Sequence, residues 1–159
     1  MRILKLIMLL LPALCFADNS VQTPFSTMPV ADTSAAEKPV ERWYSFQHVI
    51  QGGRVFQQNC AVCHGKQGEG ALDWRQLGAD GKYPAPPLNG SGHAWHHPLK
   101  MLFHTVKNGS PGGQGGMPAW GEKLSNDEMI AAIAWFQSKW PEQIYSTWMQ
   151  REIASRSLH

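Results

Sequence analysis

Cysteine is scarce in this chain, with three in 159 residues, at Cys15, Cys60 and Cys63. Long apolar runs are missing too. The stretch from Leu6 to Phe16 is broken by Pro12 and falls short of the ~20 residues a membrane-spanning helix needs. With basic Arg2 and Lys5 before it and small Ala17 after it, this stretch reads as a cleavable secretory signal over residues 1–17. An uncleaved anchor is the alternative that Pro12 and the short run disfavour. A lipid anchor on Cys15 is the other, set back by bulky Leu14 just before it. A charge of one sign is the third absence. Of fourteen basic and twelve acidic residues, Arg2 and Lys5 leave with the signal, so twelve of each remain. That balance excludes a nucleic-acid-binding role and a strongly basic docking face. No paired carboxylates, nucleophile–base pair or phosphate-cradling loop suggests bond-breaking chemistry.

The two cysteines left after the signal stand in Cys60-Ala61-Val62-Cys63-His64. Two cysteines with two residues between them and a histidine immediately after form the attachment signature of a c-type haem. Residues three and four apart share one face of a helical turn, so Cys60, Cys63 and His64 can address one flat ligand. The thiols add across the two haem vinyl groups, and the imidazole reaches the iron as an axial ligand. Competing readings are a zinc half-site and a redox dithiol. Zinc needs two more ligands, for which His93, His96, His97 and His104 are the candidates. A redox dithiol should follow a strand, and no strand-like run precedes Cys60. Export fits haem attachment and places the protein in the periplasm.

From Asp18 to about Arg42 the chain is polar, with Pro24, Pro29 and Pro39 and no apolar period. Residues 18–44 are assigned to a flexible leader and residues 45–156 to one all-α domain. The spacing predicts a first helix from about Ser45 to Cys60, carrying Phe46, Val49, Ile50, Val55 and Phe56. Gly52 and Gly53 inside it each cost about 1 kcal/mol relative to alanine, which points to a close neighbour. Gly65 to Tyr83 is glycine-rich and irregular, and Pro86-Pro87-Leu88-Asn89-Gly90 should run as extended loop. Pro98 starts a short helix with Leu99, Leu102, Phe103 and Val106 on its buried stripe, closed by Gly109. Ser125-Asn126-Asp127-Glu128 is a capping box for a helix to about Lys139 that buries Met129, Ile130, Ile133, Trp135 and Phe136. Pro141 restarts the chain into a last helix using Ile144, Trp148 and Ile153.

A second axial ligand decides how a haem iron is used. Met101, Met129 and Met149 fall in helices, where methionine is more often core filler. Met117 instead follows the glycines of Ser110–Gly116, precedes Pro118, and is the expected sixth ligand. A soft, neutral thioether favours ferrous iron and raises the potential relative to a second histidine. The rivals are His93, His96, His97 and His104. The first three crowd a loop beside Trp95 and are also candidates for a second metal such as copper.

Taken together, these motifs resemble the small bacterial class I cytochromes c with one haem, similar to oxidase-associated cytochrome c subunits, over about Phe46 to Lys139. The resemblance implies an all-α fold in which N- and C-terminal helices cross and irregular loops wrap the haem. It assigns Gly52 and Phe56 to the crossing, with Ile133, Trp135 and Phe136 opposite. The Pro-x-Leu-x-Gly loop appears as Pro86, Leu88 and Gly90, and Pro86 is expected to hold His64 through its carbonyl. Cys60, Cys63, His64, Pro86, Leu88 and Trp120 are the expected haem-contacting residues, and His64 and Met117 the iron ligands. Residues 71–83 and the helix after Pro141 exceed the family pattern. The implied function is electron transfer between redox proteins through one covalent haem c, with no membrane span in the mature chain. Two alternatives stay open. One is a subunit of a larger oxidase or dehydrogenase, and the other a haem enzyme or gas sensor with a labile sixth ligand.

Overall fold

The computed structural model describes residues 39–157, and the proposed signal and most of the leader lie outside them. Five α-helices follow in order: α1 (Phe46–Asn59), the single turn α2 (Ala61–His64), α3 (Leu99–Asn108), α4 (Asn126–Gln137) and α5 (Glu142–Arg156). Among the described residues there is no strand, only one isolated parallel bridge between Tyr83 and Gly115.

The crossing of α1 and α4 is the centre of the described helical unit. Ser45 caps α1 by accepting from the His48 amide at 3.3 Å, and His48 Nδ1 accepts from the Ser45 amide in return. Histidine thus takes the place usually held by Glu or Gln in a capping box. Gly52 sits where α4 touches, and a Cβ there would overlap the Ala131 carbonyl. This is the close neighbour its helix cost implied. Its partner is Ala131, rather than the bulkier residues expected opposite it. Four residues on, Phe56 packs on Trp135 with ring centroids 4.3 Å apart. Helix α4 starts from the predicted box: Ser125 accepts from the Glu128 amide and Glu128 accepts from the Ser125 amide at 2.8 Å. It is buried nearly all round, with Met129, Ala131, Ala132, Ile133, Ala134, Trp135, Phe136 and Gln137 out of solvent, while Ile130 is half-buried.

Two apolar patterns are corrected by the structure. On α1, Phe46 and Ile50 face solvent while Val55 and Phe56 are buried. On α5 the inward stripe is Tyr145, Trp148 and Glu152, whereas Ile153 is exposed. Glu152 takes the inner position because its carboxylate has partners there. Oε2 accepts from the Leu99 amide at 2.7 Å and Oε1 from Arg156 at 2.9 Å. Pro98, the N-cap of α3, offers no side-chain acceptor. A glutamate from another helix therefore meets one of the amides that every helix N-terminus leaves unpaired.

The end of the expected leader belongs to the packed structure. Val40, Trp43 and Tyr44 lie against the core. Arg42 pairs with Glu142 at 2.6 Å, and its guanidinium sits 3.7 Å above the Tyr145 ring centroid. The Val40 amide donates to Glu142, and the Trp43 amide donates to the Tyr145 hydroxyl. No helix among the described residues is long and apolar enough to cross a membrane.

Candidate haem site

The Cys60–His64 turn is built directly on the end of α1. Cys60 caps α1, its amide bonding the Phe56 carbonyl at 2.8 Å. Its own carbonyl receives the Cys63 and His64 amides at 3.1 and 2.9 Å, which winds α2 and brings the three side chains onto one turn. Cys60 is half-buried, Cys63 exposed and His64 buried at 7 % exposure.

His64 Nδ1 lies 2.9 Å from the Pro86 carbonyl. A carbonyl only accepts, so Nδ1 carries the proton and donates, which leaves the Nε2 lone pair for a metal. Burial lowers the His64 pKa and the Pro86 carbonyl offsets this only in part. The ring is therefore neutral at neutral pH, the form that can ligate. The Cys60 thiol is pushed up to about 11, first by burial and then by neighbouring Cys63. Redox dithiols and zinc thiolates need the opposite shift, whereas Cys60 keeps its proton.

The loop that carries Pro86 is held from several sides. Pro84, Pro86 and Pro87 have no amide hydrogen, so the segment donates little and its carbonyls must be met from elsewhere. The Ala71 amide donates to the Ala85 carbonyl at 2.9 Å, and the Gly68 carbonyl accepts from the Leu88 amide at 2.7 Å. Gly70 donates to the His64 carbonyl. It sits so close to Pro86 and Pro87, at φ 69°, that a side chain there would overlap their backbone. Sequence alone marked this glycine-rich stretch as irregular, which hid its task of seating the proline loop against the His64 turn. Leu88 is half-buried against the core.

Met117 is half-buried on a loop tied to the end of α3. Its amide donates to Ser110 Oγ at 3.2 Å, and its carbonyl accepts from the Ser110 amide at 3.1 Å. Gly109, at φ 84°, lets that carbonyl approach. Trp120 is also half-buried, its amide bonding the Val106 carbonyl. The 71–83 excursion reaches this loop, because the Tyr83 amide donates to the Gln114 carbonyl at 2.9 Å. It exposes Leu72, Leu77 and Tyr83.

The remaining histidines are spread over aromatic neighbours. His93 stacks on Trp74 with centroids 5.4 Å apart, and His96 lies 3.8 Å from the Trp95 ring. His104 is exposed beside Asn108. Burial lowers the pKa of His93 and His97, and the charges of neighbouring histidines add to it. Among the described residues no three His, Cys, Asp or Glu side chains converge as metal ligands. The zinc reading of Cys60 and Cys63 thus finds no histidine pair to complete it, and no three-ligand copper site forms around His93, His96 and His97. The donor set suits a haem instead: two thiols and one neutral, oriented imidazole on a single turn.

A helical fold without strands among the described residues, with α1 and α4 crossing through Gly52 and the Cys60–His64 turn at the end of α1, defines a class I cytochrome c domain with one haem-binding motif. The family model described as cytochrome c oxidase, cbb3-type, subunit III matches residues 47–136, and the chain belongs to that family. The cbb3-type cytochrome c oxidase subunit CcoP of Azospirillum sp. (strain B510) is 38 % identical over 86 residues, covering 54 % of this chain and 26 % of the relative. The same subunit of Azospirillum brasilense is 32 % identical over 103 residues, covering 65 % and 28 %. The chain thus spans about a quarter of the length of these relatives. In fold it is similar to cytochrome cL of the marine methylotroph Methylophaga aminisulfidivorans MPT, with a TM-score of 0.51 and 19 % identity, covering 76 % of this chain and 83 % of that one.

Proposed function

We propose that this protein is a periplasmic electron carrier with one haem c, bound through thioethers to Cys60 and Cys63 and ligated by His64 and Met117. The observation that carries the reading is the 2.9 Å contact of His64 Nδ1 with the Pro86 carbonyl, joined to the Cys60 and Cys63 thiols on the same turn. The haem supplies a one-electron couple when bound. The chain orients the imidazole through Pro86, encloses it beneath the proline loop and presents Met117 from a loop pinned by Ser110. A carrier needs ligands held alike in both oxidation states and no open iron position. The two relatives are oxidase subunits, which supports a place beside an oxidase, accepting electrons from one redox protein and passing them to another. Residues 1–17 would direct export and be removed.

Visible spectra of the purified holoprotein, oxidised and reduced, test this. A sharp c-type band on reduction with a weak far-red band in the oxidised state supports His64/Met117 ligation. Low-spin spectra lacking the far-red band turn the assignment to a second histidine. High-spin spectra, or rapid and complete carbon monoxide binding at neutral pH, overturn the carrier reading in favour of a haem enzyme or gas sensor.

A further inference from the structure

The chain beyond the matched family segment, which ends at residue 136, makes three side-chain contacts with backbone on one stretch. Trp140 Nε1 donates to the Leu88 carbonyl at 2.7 Å. Trp148 Nε1 donates to the His97 carbonyl at 2.9 Å. Glu152 accepts from the Leu99 amide at 2.7 Å. All three residues are buried, Trp140 at 3 %, Trp148 at 0 % and Glu152 at 5 % exposure. The contacts span residues 88–99, the link from the proline loop to α3. Each meets a backbone group and none depends on the side chain of the residue it holds.

The Trp140 contact is the one nearest the metal-binding turn. Leu88 lies two residues after Pro86, whose carbonyl receives His64 Nδ1. The same Leu88 donates its amide to Gly68 on the other side. Gly90, at φ 100°, brings the loop onto the Trp140–Pro141 corner, where an added Cβ would lie 3.0 Å from Pro141 Cδ and 3.3 Å from Trp140 Cδ1. A buried indole N–H aimed at a carbonyl in a segment short of donors fixes the height of that segment, because either partner left alone would be buried and unsatisfied.

We propose that Trp140 is a positioning residue for the haem iron's proximal ligand. Its indole N–H sets the place of Leu88, hence of the Pro86 carbonyl, hence the strength of the hydrogen bond that polarises His64. The inference rests on His64 ligation as proposed above. A strong bond from Nδ1 makes the imidazole a better donor and favours ferric iron. Slackening the loop weakens that bond and raises the reduction potential. Trp148 meets the far end of the same stretch, at His97, and so contributes to stability without setting the proximal bond.

The test compares the holoprotein with Trp140→Phe and Trp148→Phe. It adds a benzothienylalanine at position 140 by nonsense suppression, which keeps the ring shape, removes only the N–H and covers the case in which Trp140→Phe does not fold. Expected results are a higher midpoint potential for both position-140 variants and an unshifted potential for Trp148→Phe. Amide exchange at Leu88 and Asn89 should be roughly three- to tenfold faster, as loss of one hydrogen bond implies. An unchanged potential at position 140, or equal shifts at 140 and 148, overturns the proposal. If the wild type shows no c-type spectrum, the functional reading fails instead. The clamp is then read by amide exchange alone, and unchanged exchange at Leu88 and Asn89 overturns it.

Discussion

His64 Nδ1 and the Pro86 carbonyl meet at 2.9 Å across 22 residues of chain, and this single contact decides which imidazole nitrogen is free. It makes different demands on its two residues. Pro86→Ala keeps the carbonyl and loses only the ring, so the spectrum should survive while stability falls by about 0.4–1 kcal/mol through a freer unfolded chain. His64→Ala should retain thioether-bound haem but lose the low-spin spectrum. Absorption spectra and denaturant melts of the two variants check both. A high-spin Pro86→Ala protein would mean that the ring, not the carbonyl, positions His64.

Gly52 tests the helix crossing. Alanine is the better helix former by about 1 kcal/mol, so the substitution would stabilise α1 if nothing lay nearby. The Ala131 carbonyl lies where the new methyl would go, and backbone cannot rotate away as a side chain can. Gly52→Ala should therefore destabilise the protein by about 1–3 kcal/mol, the usual cost of overpacking. Denaturant titration measures it. Gly53→Ala meets the Trp135 indole at 3.0 Å instead, a side chain able to shift, and should cost less.

Much of this was legible in the sequence because it rests on local chemistry. The haem turn needs residues at fixed spacing, the Ser125 box needs Ser and Glu three apart, and a glycine pair inside a helix signals a neighbour. What stayed hidden depends on distant partners. Glu152 is buried because the start of α3 lacks an acceptor, and counting apolar residues chose Ile153 in its place. The partner of Gly52 was expected among Ile133, Trp135 and Phe136, whereas close backbone approach requires something as small as Ala131. Trp140 bonds a carbonyl 52 residues away, a target that has no sequence signature.

Glu128 links the α4 cap to pH. Its pKa is lowered chiefly by the Ser125 amide and then by the Ser125 hydroxyl. The folded value therefore lies below the unfolded one, and the carboxylate contributes stability above the unfolded value near 4.5. That contribution is lost as pH falls through the folded value. Glu128→Gln can still reach the Ser125 amide but does not titrate. Melting temperatures of the two proteins should differ above pH 5 and converge as the pH is lowered through the acid range. A constant difference at every pH would show that Glu128 charge plays no part in the cap.

The contact of Trp43 with Gln137 fastens the segment before α1 to the helices. Trp43 Nε1 donates to Gln137 Oε1 at 2.6 Å, Gln137 is fully buried, and its Nε2 has no protein partner. A residue assigned to the leader by composition thus satisfies half of the most enclosed polar side chain in α4. Removing the donor leaves the amide unpaired at both ends, so Trp43→Phe should destabilise by about 1–3 kcal/mol. Adding Gln137→Met removes the stranded amide as well and should recover most of that loss, because two apolar groups in contact carry no unpaired polar atom. Urea unfolding of the single and double variants measures the difference. If the double variant is no more stable than Trp43→Phe alone, the loss comes from indole packing, and the hydrogen bond is not what fastens this segment to the helices.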